Sequence, residues 1–190
     1  MDRVVSTFVA QDLTGVEETD LLKGKATMKL YSQLVGVRDI VSFLQPLNKV
    51  ALFFPVGNNA STPGHWLAVW YDPQSRTIHH FDSYGFGPEA ELRYSHNTDV
   101  QEQLLNKLYQ QAQQQGYNLV WNKTAFQQMG DNVNTCGRHV VVRLLFSYLS
   151  EDQYTQLLTG QKMSPDDLVT LMTLISLDET QQVGQILRSL

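Results

Sequence analysis

Apolar side chains wrap almost fully round a helix in the run from Val140 to Leu149, Val-Val-Val-Arg-Leu-Leu-Phe-Ser-Tyr-Leu. A surface helix keeps a polar face; a helix without one has to be covered on all sides by other elements. The run falls well short of the roughly 18 apolar residues of a membrane span, and no other stretch approaches that length. A buried central helix is therefore the first expectation. With 190 residues, 42% of them hydrophobic, the chain suits one well-packed domain and is short for two. We expect a single domain over 1–190, its core at about 50–150, with helical extensions at 1–48 and 151–190.

Strand-like segments precede this helix. Val50 to Val56 is an apolar run interrupted by Pro55 and closed by Gly57, which reads as a buried strand. The loop Gly57 to Gly64 delivers His65 to the next strand, Trp66 to Tyr71. Asp72-Pro73-Gln74-Ser75 is a turn signal, and Arg76 to Phe81 carries the β-branched and aromatic residues of a second strand, so the two form a hairpin. Tyr117 to Trp121 is a further strand. Leu104, Leu105, Leu108, Tyr109 and Ala112 recur at helical spacing before Gly116, which makes the glutamine-rich Gln101 to Gln115 an amphipathic helix. Near the N-terminus, Leu21, Leu22, Met28, Leu30, Tyr31 and Leu34 approximate helical spacing broken by Gly24, reading as peripheral helices. Three more helices follow at Glu151 to Leu158, Ser164 to Ile175 and Asp178 to Leu190, with Ser164-Pro165-Asp166-Asp167 capping the second. The expected class is α+β: a central mixed or antiparallel sheet packed against the buried helix, with peripheral helices around them.

Three residues carry a chemistry. Antiparallel neighbours reverse direction, so His65 at the start of one hairpin strand and Asp82 just past the end of the other lie at the same end of the sheet. Cys136 follows the polar loop Gly130 to Thr135 at the mouth of the apolar helix, where free N–H groups and the positive end of the dipole favour an anion. A thiol attacks as its thiolate; an imidazole can hold the proton, and a carboxylate can orient the imidazole. Each residue has a plainer reading. A lone cysteine before an apolar helix is commonly a small buried hydrophobe, His65 could be a surface residue, and Asp82 could merely form a turn. Their joint placement gives the nucleophilic reading its weight.

Other histidines compete less well. His79 and His80 are strand neighbours facing opposite ways, His139 lies one turn beyond Cys136 in the same helix, and His96 sits in a polar loop. The histidines and the single cysteine lack zinc-ligand spacing, so we expect no metal and no cofactor. A net charge of -5 offers no general attraction to nucleic acid, which is not expected as an obligatory partner. One cysteine cannot form an internal disulfide and persists best in a reducing compartment. The N-terminal residues lack a basic segment followed by a long apolar one, so a soluble, unsecreted monomer without a membrane partner is expected.

In Gly64-His65-Trp66, Phe81-Asp82-Ser83-Tyr84-Gly85-Phe86-Gly87, Phe126-Gln127-Gln128 and Thr135-Cys136-Gly137, the chain resembles the adenovirus protease (adenain) family and related ubiquitin-like-protein proteases. Order and approximate spacing agree over roughly residues 50 to 150. The flavour of Thr-Cys-Gly-Arg-His-Val-Val-Val-Arg is similar to maturation proteases of virophages, giant viruses and Polinton-type elements. The resemblance implies a papain-like, adenain-like fold, with Cys136 as nucleophile, His65 as base and Asp82 as its acidic partner. A glutamine, Gln127 or alternatively Gln128, would join the Cys136 backbone N–H in the oxyanion hole, with Trp66 and Gly137 supporting. Trp66 would pack beside the imidazole or serve only as strand core. The spacing from either glutamine to the cysteine exceeds the family's, implying an insertion in the Gly130 to Asn134 loop. The implied function is cleavage of viral capsid precursors, in the virion and host cytoplasm. Deconjugation of ubiquitin-like proteins, acetyl transfer by the same triad, or a non-catalytic module are the alternatives.

Overall fold

The computed structural model describes residues 8–11, 13, 15–55, 64–93, 103–130 and 132–189. Five strands, β1 (Thr27–Leu30), β2 (Lys49–Pro55), β3 (Gly64–Asp72), β4 (Thr77–Asp82) and β5 (Asn118–Trp121), form one sheet in the order β1-β2-β3-β4-β5. The inner pairs β2–β3 and β3–β4 are antiparallel and the outer pairs β1–β2 and β4–β5 parallel, so the α+β sheet is mixed. A parallel pair needs a crossover, since the chain must return to the end it started from. The 3₁₀ turn Tyr31–Leu34 with α2 (Ile40–Phe43) supplies one; α3 (Leu104–Gln114) lies on the other.

Alternation along the strands gives each face of the sheet its own core. Leu52, Leu67, Val69 and Ile78 pack with Leu105, Leu108, Tyr109 and Ala112 of α3. On the opposite face Ala51, Ala68, Trp70 and Phe81 pack with Val140, Val141 and Leu144 of α4 (Cys136–Leu145). Ala51 stands directly opposite Ala68, and these small side chains leave room for the helix to sit close on the sheet. Beyond α4, the same core takes in Leu21 and Leu22 of α1 (Gly15–Leu22), Tyr154 and Leu158 of α5 (Glu151–Thr159), and Val169 and Leu177 of α6 (Pro165–Ser189). Every residue from Cys136 to Leu144 is buried, Arg138, His139 and Arg143 included, as a helix covered on all sides requires. Each of its valines contributes roughly 1.5–3 kcal/mol relative to an exposed side chain.

Three elements differ from expectation. Where helices were expected before residue 49, Met28 and Leu30 lie on β1, because a parallel ladder to Ala51 and Phe53 outweighs weak local spacing. The two helices expected at 164–175 and 178–190 run as one, since no Gly or Pro separates Ile175 from Asp178. The central helix stops at Leu145 rather than Leu149. The loop expected at 57–64 and His96 lie, apart from Gly64, outside the described residues.

Candidate active site

The hairpin register brings His65 to Asp82. Leu67 pairs with Asp82, so their side chains share a face; His65, two residues earlier, shares it too and is the diagonal neighbour of Asp82. His65 Nε2 lies 3.2 Å from Asp82 Oδ1, and both residues are buried, at 5% and 1% exposure. Asp82 is itself held firmly. Its Oδ1 accepts the Tyr84 N–H at 2.8 Å, its own N–H donates to Asn122 Oδ1 at 2.9 Å, and Asn122 Nδ2 donates to its carbonyl at 2.6 Å. The turn that follows needs Gly85: φ is +74°, its N–H donates to Asp82 O at 2.9 Å, and a Cβ there would stand 2.9 Å from Ala125 N.

Burial by itself would pull His65 down. Hydrogen bonding and electrostatic interaction with Asp82, and then with Cys136, outweigh it and raise the imidazole to about 9. Cys136 is thus among the groups that raise the ring held by Asp82. A folded-state value above the unfolded one contributes stability that is complete below about 6.5 and is lost as pH rises through about 9.

Tyr84 covers the imidazole. Its ring stacks on His65 with centroids 5.2 Å apart and planes at 19°, and burial, then the negative charges nearby, push its phenol up to about 12. Trp66 points to the other face of β3, where it meets Phe53 at 4.8 Å. Strand alternation was the signal: a neighbour of His65 faces away from it, whereas a residue in the turn after Asp82 can return.

Cys136 is the first residue of α4 and is 8% exposed. Thr135 at the N-cap makes no capping bond, and its hydroxyl turns instead to Asp166 of α6. Gly137 follows in a tight place: a Cβ there would lie 2.2 Å from Glu18 Oε1 and 3.4 Å from Trp66 Cδ1. Glu18, 2% exposed on α1, was not foreseen beside the cysteine.

Of the two glutamines, Gln127 is buried and Gln128 has an exposed side chain. Gln127 Oε1 accepts the Ser83 hydroxyl at 2.7 Å, and its Nε2 donates to Val133 O at 3.1 Å. The backbone N–H groups of Phe126 and Gln127 both donate to Ser83 O. The turn after Asp82 therefore positions Gln127 as well.

The remaining described histidines are engaged elsewhere. His139 is fully buried with Nε2 3.0 Å from Asp166 Oδ1; His80 lies 3.1 Å from the Tyr109 hydroxyl and is pulled down to about 4, chiefly by burial; His79 stacks on Trp70 at 4.6 Å. Among the described residues, no group of three or more His, Cys, Asp or Glu side chains is placed to hold a metal ion.

Among solved structures the chain is similar to ChlaDub1 from Chlamydia trachomatis, at 16% identity, covering 95% of this chain and 77% of that one with a TM-score of 0.46. It is also similar to the SUMO protease Ulp1 with its catalytic cysteine oxidised to a sulfinic acid, at 16% identity over 95% and 87% of the two chains, TM-score 0.43. No protein-family model matches the sequence. Among curated proteins it is similar to Uncharacterized protein V9 of Sputnik virophage, 28% identical over 168 residues, covering 85% of this chain and 94% of the relative.

Proposed function

We propose that this protein is a cysteine endopeptidase that cleaves capsid precursor proteins during virion maturation. The observation that carries the reading is the buried His65–Asp82 pair at 3.2 Å, with the Cys136 sulfur, at the head of α4, acting on the same imidazole. The Cys136 thiolate attacks the scissile carbonyl. The backbone N–H of Cys136 and one hydrogen on Gln127 Nε2 stabilise the developing oxyanion, and the amide is already oriented by Ser83. His65, charged through its contacts with the thiolate and Asp82, protonates the leaving amine; it then serves as base for the water that hydrolyses the thioester. Similarity to a virophage protein over most of both chains supports a viral setting, within which a viral structural precursor is the proposed substrate and the assembly site the proposed place of action. The chain acts as a monomeric single domain without metal, cofactor or obligatory nucleic acid.

The test is mass spectrometry of the capsid precursor of the parent virus after incubation with the protein, with and without prior iodoacetamide treatment. Defined cuts that disappear on alkylation are expected. A capsid protein left whole, alongside reaction with a ubiquitin-like vinyl sulfone, would move the substrate to ubiquitin-like tails; acetyl-enzyme formation from acetyl-CoA would move the reaction to acetyl transfer.

The acid role of His65 also sets a pH limit. Peptide hydrolysis declines as pH rises through about 9, because the imidazolium that protonates the leaving amine is then lost. An initial-rate profile from pH 6 to about 10.5 checks it; a rate undiminished at the alkaline end contradicts the assignment.

A further inference from the structure

Asp166 stands at the first turn of α6, far along the chain from either catalytic loop, yet it is 3% exposed and bonded to both. One oxygen, Oδ1, accepts the hydroxyl of Thr135, the residue before Cys136, and lies 3.0 Å from His139 Nε2, one turn further along α4. The other, Oδ2, accepts the backbone N–H of Gln128, the residue after Gln127, at 3.0 Å. Burial alone would raise this carboxyl; the bonds from His139, Thr135 and the Gln128 N–H outweigh it and hold the group below the usual carboxylate range. Its place at the positive end of its own helix, capped by Ser164 to the Asp167 N–H at 3.1 Å, favours the charge further.

We propose that Asp166 is a positioning residue, whose carboxylate holds the segment carrying Gln127 and the segment carrying Cys136 at the separation that oxyanion stabilisation requires. The role rests on the peptidase reading. Apart from this tie the two segments meet through the Gln127 Nε2 bond to Val133 O and the stacking of Phe126 on His139, with ring centres 6.5 Å apart; Asp166 adds hydrogen bonds to the residue after Gln127 and the residue before Cys136. An oxyanion donor displaced by about an ångström loses most of its effect, so a carboxylate that touches neither substrate nor sulfur still governs turnover. It does so through two separable arms, one per oxygen.

The arms are tested one at a time. Asp166→Asn keeps an oxygen for Thr135 and His139 and puts an NH₂ group under the Gln128 N–H, cutting the glutamine arm. For hydrolysis of a fluorogenic Gly-Gly peptide amide, kcat falls about 10- to 100-fold with KM within about twofold. Alkylation of Cys136 by iodoacetamide, which forms no oxyanion, stays within about threefold of the parent rate. Thr135→Val weakens the cysteine arm next to Cys136 and leaves Asp166 bound to His139 and Gln128; alkylation and hydrolysis then fall together, by about 3- to 10-fold.

Asp166→Asn hydrolysing at the parent rate overturns the role and leaves the peptidase reading standing. A loss of both readouts in Asp166→Asn that parallels a loss of folded protein, with Thr135→Val fully active, makes Asp166 merely structural and overturns it too. Should the parent protein be alkylated at Cys136 yet hydrolyse neither peptide nor precursor, the peptidase reading falls, and the positioning role with it.

Discussion

Cys136→Ala abolishes peptide hydrolysis, a loss of about 10⁴-fold or more, and leaves the fold in place. The sulfur is the atom proposed to form and break the covalent bond, and neither water nor His65 can substitute for it in acyl transfer. The structural cost is small by comparison. Removing one buried heavy atom from a residue that is 8% exposed costs about 1 kcal/mol, or a few degrees of Tm. Progress curves with the fluorogenic peptide and a thermal melt of the same sample separate the two effects. Hydrolysis that survives in this variant would remove Cys136 from the mechanism, and with it the thiol peptidase reading.

Arg143→Ala has the largest expected effect on stability. Arg143 is fully buried in the last turn of α4, its guanidinium 4.5 Å from the ring centres of both Trp70 and Tyr154. Nη1 donates to Phe146 O at 3.0 Å; Nη2 donates to Leu149 O at 3.3 Å and to Glu151 Oε1 at 2.7 Å. The side chain thus ties the carbonyls beyond α4 to the start of α5 and fills the space between two aromatic rings. Alanine removes the guanidinium donor from Leu149 O and the Glu151 carboxylate, leaves Phe146 O with the Leu149 N–H at 3.0 Å, and opens a cavity. We expect a loss of about 3–5 kcal/mol, which for a chain of this size lowers Tm by about 10 °C or more. Urea unfolding measures the difference. A loss below about 1 kcal/mol would mean that the guanidinium merely replaces what a water cluster does as well.

Local chemistry carried much of the fold. The Asp72-Pro73 turn between an apolar run and a half-polar run of β-branched and aromatic residues identified the β3–β4 hairpin, and antiparallel reversal put His65 and Asp82 at one end of it. Ser164 capping the Asp167 N–H was legible in the same way, because donor and acceptor are three residues apart. β1 was not: four residues with little local preference become a strand only because β2 offers a ladder. Tyr84 was passed over for Trp66, although alternation already turned Trp66 from the imidazole; the turn that brings Tyr84 back depends on Gly85 and the Asp82 carboxylate.

By itself the sequence determined which residue types stand at which ends of helices and strands, since periodicity, turns and caps act over a few neighbouring residues. Tertiary structure alone decided which of those ends meet: that Asp166 lies beneath Gln128, 38 residues away, that Glu18 abuts Gly137, and that Gln127 rather than Gln128 turns inward to Ser83. Such contacts follow from how layers pack around one shared core, and a side chain's local neighbours contain no record of the distant surface it will be pressed against.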